Sequence, residues 1–298
     1  MIADTLHAAI VLATPLLLAA LGGLVNRVGG IVNIGLEAMM TAGALCALVV
    51  SSASGSWLAG AAAGALCGAL IATPMSLVIT RLGANEIIVG LGLNIAVAAL
   101  VRYLLKTQWQ TTGTLELPDV VRLPTIDIPG LQGLPLLDAL LSGHDPLTWF
   151  AWIAVPVTAW VLRSTRVGLR LRASGSAELA ARAQGLRPLN LRDASSVVAG
   201  AFAGLAGAQL SLGLIGLFNE QLIAGRGFIA LAAFYFGRSR PLPTAMACLL
   251  FAFFDALQIR LQGAQLPSEL LQTLPYVAVV AALGVGAALA RRRQGVSR

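Results

Sequence analysis

The sequence predicts an all-α polytopic membrane protein, and three observations predict it. Hydrophobic residues make up 57% of the 298-residue chain and charged residues 11%, where an ordinary soluble domain carries about 25% charged residues. The apolar residues gather in runs of about 20, the length an α-helix needs to cross a bilayer. The remaining charges sit mostly between those runs, and of 20 basic residues all but Lys106 are arginine. A soluble fold this poor in charge could not cover its surface with polar groups.

Taken in order, spans are expected at 6–25, 31–50, 57–80, 84–105, 147–163, 194–214, 242–259 and 272–290. The stretch GRGFIALAAFYFG at 225–237 is apolar but short. With 213–224 it predicts a broken or re-entrant segment near 213–237, because irregular backbone survives at membrane depth only inside protein or beside a water-filled cavity. The expectation is eight or nine transmembrane helices in a single transmembrane domain, 1–298. Thr-Pro recurs at 14–15 and 73–74, where a proline inside a span leaves one carbonyl without its amide partner.

Sidedness follows from the arginines. The loop 163–193 carries Arg163, Arg166, Arg170, Arg172, Arg182, Arg187 and Arg192, and the tail carries Arg291, Arg292, Arg293 and Arg298. Both are expected in the cytoplasm. The loop 106–146 has more acidic than basic residues and is rich in proline, so it is expected outside, as a cap and not a domain. Counting along the chain puts the N-terminus outside and the C-terminus in the cytoplasm. The net charge of +7 is thus topogenic and does not point to nucleic acid. No removable signal peptide is expected, since 6–25 lacks a basic leader and runs on into another span. Cys46, Cys67 and Cys248 lie in apolar runs as small hydrophobes, with no disulfide expected; His7 and His144 read as lone and peripheral.

The polar residues inside the spans are few, and each is expensive to bury. Glu37 follows Asn33-Ile34-Gly35-Leu36. It reads either as an acid in the first turn of a helix capped by Asn33, or as a residue of a transport pathway. Asn85 and Glu86 mark a helix start, and Glu86, Gly90 and Asn94 share one face. That face is either a close helix contact or a pore-lining stripe. FNEQLIAGRGF at 218–228 is either a solvated turn or a broken-helix element facing a substrate. Asp255, Gln258 and Gln262 make a polar stripe on an apolar span.

No phosphate-binding loop, zinc spacing or nucleophile elbow is present, so the chain is not expected to be an enzyme or to bind a cofactor or metal.

Four stretches resemble one family: TPLLLAALGGLVNRVGGIVNIGLEAMM at 14–40, GANEIIVGLGLN at 83–94, AARAQGLRPLNLR at 180–192 and AGRGFIALAAFYFGRSRPL at 224–242. They resemble permease subunits of bacterial ABC importers in the branched-chain amino acid and simple-sugar group, and within it the nucleoside importers that work with a lipoprotein binding protein. The resemblance runs in register from about residue 10 to 290. It implies an inner-membrane permease that pairs with a second permease subunit, usually a different chain. It also implies a cytoplasmic ABC ATPase that holds the ATP, and an external substrate-binding lipoprotein. The ATPase contact would be a short helix with an Ala-Ala-x-x-x-Gly pattern, matched here by Ala180, Ala181 and Gly185. The acidic residue that often precedes the alanines would fall at Leu179, and Glu178 lies one place off. Asn33 to Glu37 resembles a family hallmark of the second span.

The expected function is therefore the permease of an ATP-driven importer for nucleosides, cycling between outward- and inward-open states. Its pathway candidates are Glu37, Glu86, Asn94, Gln209, Asn219 and Asp255, with Phe218 and Tyr235 as base-stacking aromatics. The alternatives are a ribose-type sugar importer of the same family, and an ion-coupled secondary transporter using Glu37, Glu86 and Asp255.

Overall fold

The computed structural model describes residues 2–127 and 142–261. The span expected at 272–290, the tail arginines, Gln262, Pro129 and Pro135 lie outside those residues.

Among the described residues, seven helices are long and apolar enough to cross a membrane. Helix α1 (Ile2–Gly29) is followed by an extended stretch, then α2 (Leu36–Ser54), α3 (Trp57–Leu82) and α4 (Glu86–Gln108). After β1 (Thr114–Leu115) come α5 (Pro146–Ser164), the short α6 (Arg166–Ser176) and α7 (Glu178–Ala183), and α8 (Pro188–Ala208). Helix α8 runs on as a π-helical turn, Gln209–Ile215, into β2 (Phe218–Asn219), the short α9 (Arg226–Phe236) and α10 (Pro241–Leu261). The two strands pair antiparallel, Thr114 with Asn219 and Leu115 with Phe218. The all-α polytopic class is as expected, and so is the broken segment near 213–237.

Two helix starts differ from expectation. The second span does not begin at 31: residues 31–34 have no regular secondary structure, and Gly35 stands at the cap position with no side-chain cap bond. Asn33 is therefore not the cap. It is fully buried, with its amide near Met39 Sδ at 3.5 Å. The sixth span begins at Pro188, inside the loop expected at 163–193. Proline fits there because the first turn of a helix has no carbonyl waiting for its missing N–H. Asn85 does cap α4, accepting from Ile87 N at 2.9 Å.

The bundle is held at close quarters by glycine. Lipid gives helices no hydrophobic reason to associate, so packing at short range must do it. A Cβ on Gly204 in α8 would collide with the Gly64 carbonyl of α3, and one on Gly200 with the Gly68 carbonyl. On the other flank of α8, a Cβ on Gly207 would collide with the Met40 carbonyl of α2. Helix α1 is the most enclosed of the seven, with 83% of its most hydropathic stretch buried, and α4 the least, at 17%. Both expected Thr-Pro pairs lie inside helices, and both threonines bond back four residues, Thr14 to Ile10 O at 3.0 Å and Thr73 to Ala69 O at 2.9 Å.

The three cysteines form no disulfide. The two histidines are not solitary. His144 is buried and stacks on His7, with ring centroids 4.5 Å apart.

Candidate functional site

The extended stretch between α1 and α2 lacks the bonds of a helix, so its backbone must find partners elsewhere. Helix α4 supplies them. Val32 N donates to Glu86 Oε2 at 2.7 Å. Asn94 Oδ1 accepts from Ala38 N at 3.0 Å, and Asn94 Nδ2 donates to Ile34 O at 3.1 Å. Between them Gly90 lies so close to Ile34 that an added Cβ would stand 2.8 Å from the Ile34 Cβ. The face Glu86–Gly90–Asn94 is thus a cradle for an irregular segment. Glu86 and Asn94 are eight residues apart, about 12 Å along the helix axis.

Glu37 stands in the first turn of α2. Its Oε1 accepts from Gly225 N at 2.8 Å, and its Oε2 is buried with no hydrogen-bond partner. The backbone of α9 presses against it: a Cβ on Gly227 would lie 2.7 Å from Glu37 N. The N-termini of α2 and α9 therefore meet at this carboxylate, and both helix ends are electropositive. Arg226 is the first residue of α9, next to the Gly225 that holds Glu37. Its Nη1 donates to Leu222 O at 2.8 Å, while its Nε is buried without a partner.

A cavity of about 270 Å³ opens beside Glu37, lined by Thr41, Asn94, Arg102, Glu220 and Phe228. Arg102 Nε and Glu220 Oε2 close a 2.9 Å ion pair between α4 and the turn after β2. A second cavity, about 670 Å³, lies at the arginine-rich end among Arg27, Val32, Glu86 and Arg172. Val32 touches one cavity and Ala38 the other, so the extended segment and the start of α2 run between them.

Residues 5–283 match the family model described as branched-chain amino acid transport system / permease component. The chain belongs to this family. It is 33% identical to the nucleoside ABC transporter permease protein NupC of Lactococcus lactis, over 97% of this chain and 94% of that one. It is 30% identical to the guanosine ABC transporter permease protein NupQ of Bacillus subtilis, over the same shares of each, 97% and 94%. It is also 29% identical to the glucose ABC transporter permease protein TsgB13 of Haloferax volcanii, over 82% of this chain and 66% of the relative. No solved structure matches the chain significantly. The protein is a multi-pass permease subunit of an ABC importer.

Of the six pathway residues expected in this permease, Glu37 and Asn94 line the cavity above and Glu86 the one at the arginine-rich end. Three lie outside both linings. Gln209 is fully buried and donates to Asp145 Oδ2 at 2.6 Å, while Asp145 caps α5 through Thr148 N. Asn219 is engaged within the hairpin, by Thr114 Oγ1 at 2.8 Å and Gln221 N at 2.7 Å. Asp255 lies half-buried on α10 and lines neither cavity. The expected aromatics are displaced as well. Phe218 is completely buried, and Tyr235 accepts from Arg27 Nη1 at 2.7 Å, with the guanidinium carbon 4.2 Å above its ring.

Sequence reasoning missed Thr41, Arg102 and Phe228. Arg102 was within reach: it follows Asn94 and Ala98 at four-residue spacing, the only charge in α4 between Glu86 and Lys106.

The permease's short helix α7 carries Glu178, Ala180 and Ala181, and Gly185 closes it with φ +75°. Gly185 N donates to Arg182 O at 2.9 Å and Leu186 N to Ala181 O at 3.1 Å, which ties off the helix end. Glu178 pairs with Arg182 at 2.5 Å and with Arg192 on α8 at 2.8 Å. Leu179 is 84% exposed, and nothing lies within 4 Å of a Cβ on Gly185.

Asn94 makes both of its bonds to backbone, so Asn94→Leu should weaken the start of α2. Two lost bonds to buried backbone groups predict a stability loss of about 1–3 kcal/mol. In detergent this would appear as a lower unfolding temperature. An unchanged transition would mean that α4 does not hold the segment.

Proposed function

We propose that this permease carries nucleosides into a bacterial cell. The observation that carries the reading is the cavity beside Glu37. It joins uncharged and carboxylate hydrogen-bonding groups to one exposed aromatic face, Phe228, and its two opposite charges, Arg102 and Glu220, are paired. A neutral, polar, ring-bearing solute suits such a lining. NupC and NupQ, named for nucleoside and guanosine transport, are similar over nearly the whole chain.

In this reading the arginine-rich end faces the cytoplasm of an inner-membrane protein, with the N-terminus outside. An external binding lipoprotein delivers the cargo. A second permease subunit covers the exposed flank of α4, so that the pathway runs between the two. A cytoplasmic ATPase binds and hydrolyses ATP, and its movement is passed on through α7 by Glu178, Ala180, Ala181 and Gly185. The permease has two arrangements, and each ligand biases their balance.

A sugar cargo is the second reading, favoured by the likeness to a permease named for glucose transport. Nucleosides and sugars share ring hydroxyls. Family membership leaves the ion-coupled reading without support.

Uptake of labelled adenosine and labelled ribose by the native host, with and without this gene, separates the two. Loss of adenosine uptake alone is the expected result. Loss of ribose uptake alone would move the cargo to sugars.

A further inference from the structure

The cavity beside Glu37 is unbalanced in its hydrogen-bonding groups. Asn94 has given its oxygen to Ala38 N and one N–H to Ile34 O. Thr41 Oγ1 donates its only hydrogen to Glu37 O at 2.8 Å and keeps acceptor capacity alone. Arg102 and Glu220 are paired. Glu37 Oε1 accepts from Gly225 N, the Gly227 amide also leans on the carboxylate, and Oε2 is shut from solvent without a hydrogen bond of normal geometry. A carboxylate oxygen left unmatched in this way is costly, and a donor arriving from the cavity would relieve it. Gly225, whose N–H holds Oε1, forms a left-handed turn with Ala224, with φ +81° and +44°. A non-glycine residue held left-handed marks a turn under strain, prone to change.

We propose that Glu37 Oε2 and Thr41 Oγ1 form an acceptor pair that takes the 2′,3′-diol of a ribonucleoside, Glu37 the 2′-hydroxyl and Thr41 the 3′-hydroxyl, with the exposed face of Phe228 beside the base. This rests on the nucleoside reading. A vicinal diol presents two donors on adjacent carbons and is common to every ribonucleoside. Amino and imino edges differ from base to base. The cavity offers two acceptors on adjacent turns of one helix, Glu37 and Thr41 standing four residues apart. In this arrangement the permease itself discriminates sugars by their hydroxyls, after the binding protein has released them.

Glu37→Gln is the decisive variant. Glutamine keeps a carbonyl oxygen for Gly225 N–H and turns the free acceptor into a donor. The host lacking the gene is complemented with the wild-type or variant permease. Uptake is then measured for adenosine, for 2′-deoxyadenosine and for purine riboside, which lacks the exocyclic amine. For each substrate the variant rate is divided by the wild-type rate, which removes the binding protein's preference, and comparing the quotients between substrates cancels any difference in expression. The expected result is a quotient about tenfold lower for adenosine and purine riboside than for 2′-deoxyadenosine, the effect of one charge-assisted hydrogen bond. Thr41→Val, which removes the acceptor for the other hydroxyl, should lower the quotients for adenosine and purine riboside relative to 3′-deoxyadenosine, which keeps the test alive if Glu37→Gln fails to accumulate. Equal quotients for all three substrates would overturn the proposal and leave Glu37 as a latch on Gly225. A quotient low for adenosine but not for purine riboside would also overturn it, in favour of the base edge. No uptake of any of the three by the wild type would remove the nucleoside reading and this proposal with it.

Discussion

Gly204→Val leaves little or no folded permease in the membrane. Gly204 lies where three helices touch. A Cβ there would strike the Gly64 carbonyl of α3, and the Gly43 position of α2 stands against the Gly204 Cα, 2.6 Å from where its own Cβ would be. All of these neighbours are backbone, so none can turn aside as a side chain would. Overpacking a core typically costs about 1–3 kcal/mol, and a branched residue against two backbones belongs above that range. Small residues set helix spacing in a membrane, so a displaced α8 carries α2 and α3 with it. The measurement is the yield of monodisperse protein after solubilisation, beside Gly92→Ala. Gly92 is exposed on α4 with nothing within 4 Å of its Cβ position, and its replacement should change stability by no more than about 1 kcal/mol. Wild-type yield and unfolding temperature for Gly204→Val would sink the glycine seam as the basis of the fold.

Gly185→Arg is expected to do the opposite: normal protein, no transport. Nothing in the permease occupies the space beyond Gly185, so an arginine fits without collision. The left-handed backbone there strains any side chain by about 1–2 kcal/mol, a local cost on a surface turn. A long cation beside Leu179 would lie on the face through which the ATPase is proposed to act. Uptake should fall to background while membrane abundance and the size-exclusion profile stay normal. Normal uptake would remove α7 from the coupling role. Loss of both uptake and protein would say only that the turn is needed for folding, and Gly185→Ala would then separate strain from bulk.

The seven described spans were legible because a bilayer imposes a length, and an apolar run of that length is visible in composition alone. What composition could not show is that an apolar stretch might be extended. Residues 31–34 are as apolar as a helix start, yet their partners Glu86 and Asn94 lie more than 50 residues further along the chain. The same blindness hid the partners of Gln209 and Asn219. Each is a polar residue in an apolar setting, and its distant partner, Asp145 or Thr114, comes into view only in the fold. Glu37 was singled out as a pathway candidate and lines a cavity, but its two readings were posed as rivals. It is both a first-turn acid and a cavity residue, because two helices begin at the same point. Phe228 and Tyr235 could not be told apart in advance. Both are aromatic, both lie on α9, and only the folded chain puts one beside the Glu37 cavity and the other under Arg27.

The meeting of two helix N-termini inside the membrane bears on what the permease must keep out. A cell that drives import with ATP cannot let the same passage drain its proton and sodium gradients. The starts of α2 and α9 both bring electropositive helix ends to Glu37, and Arg226 stands at the second of them. Against these stand Glu37, which holds Gly225 N, and Glu86, which holds Val32 N at the far end of the segment. Two helix ends of about half a charge each and one arginine thus face two carboxylates. A small cation would find no net attraction there to offset the loss of its water shell. A neutral solute gives up far less. The balance of charge that orders Glu37 thus also leaves the space between the two cavities unattractive to ions.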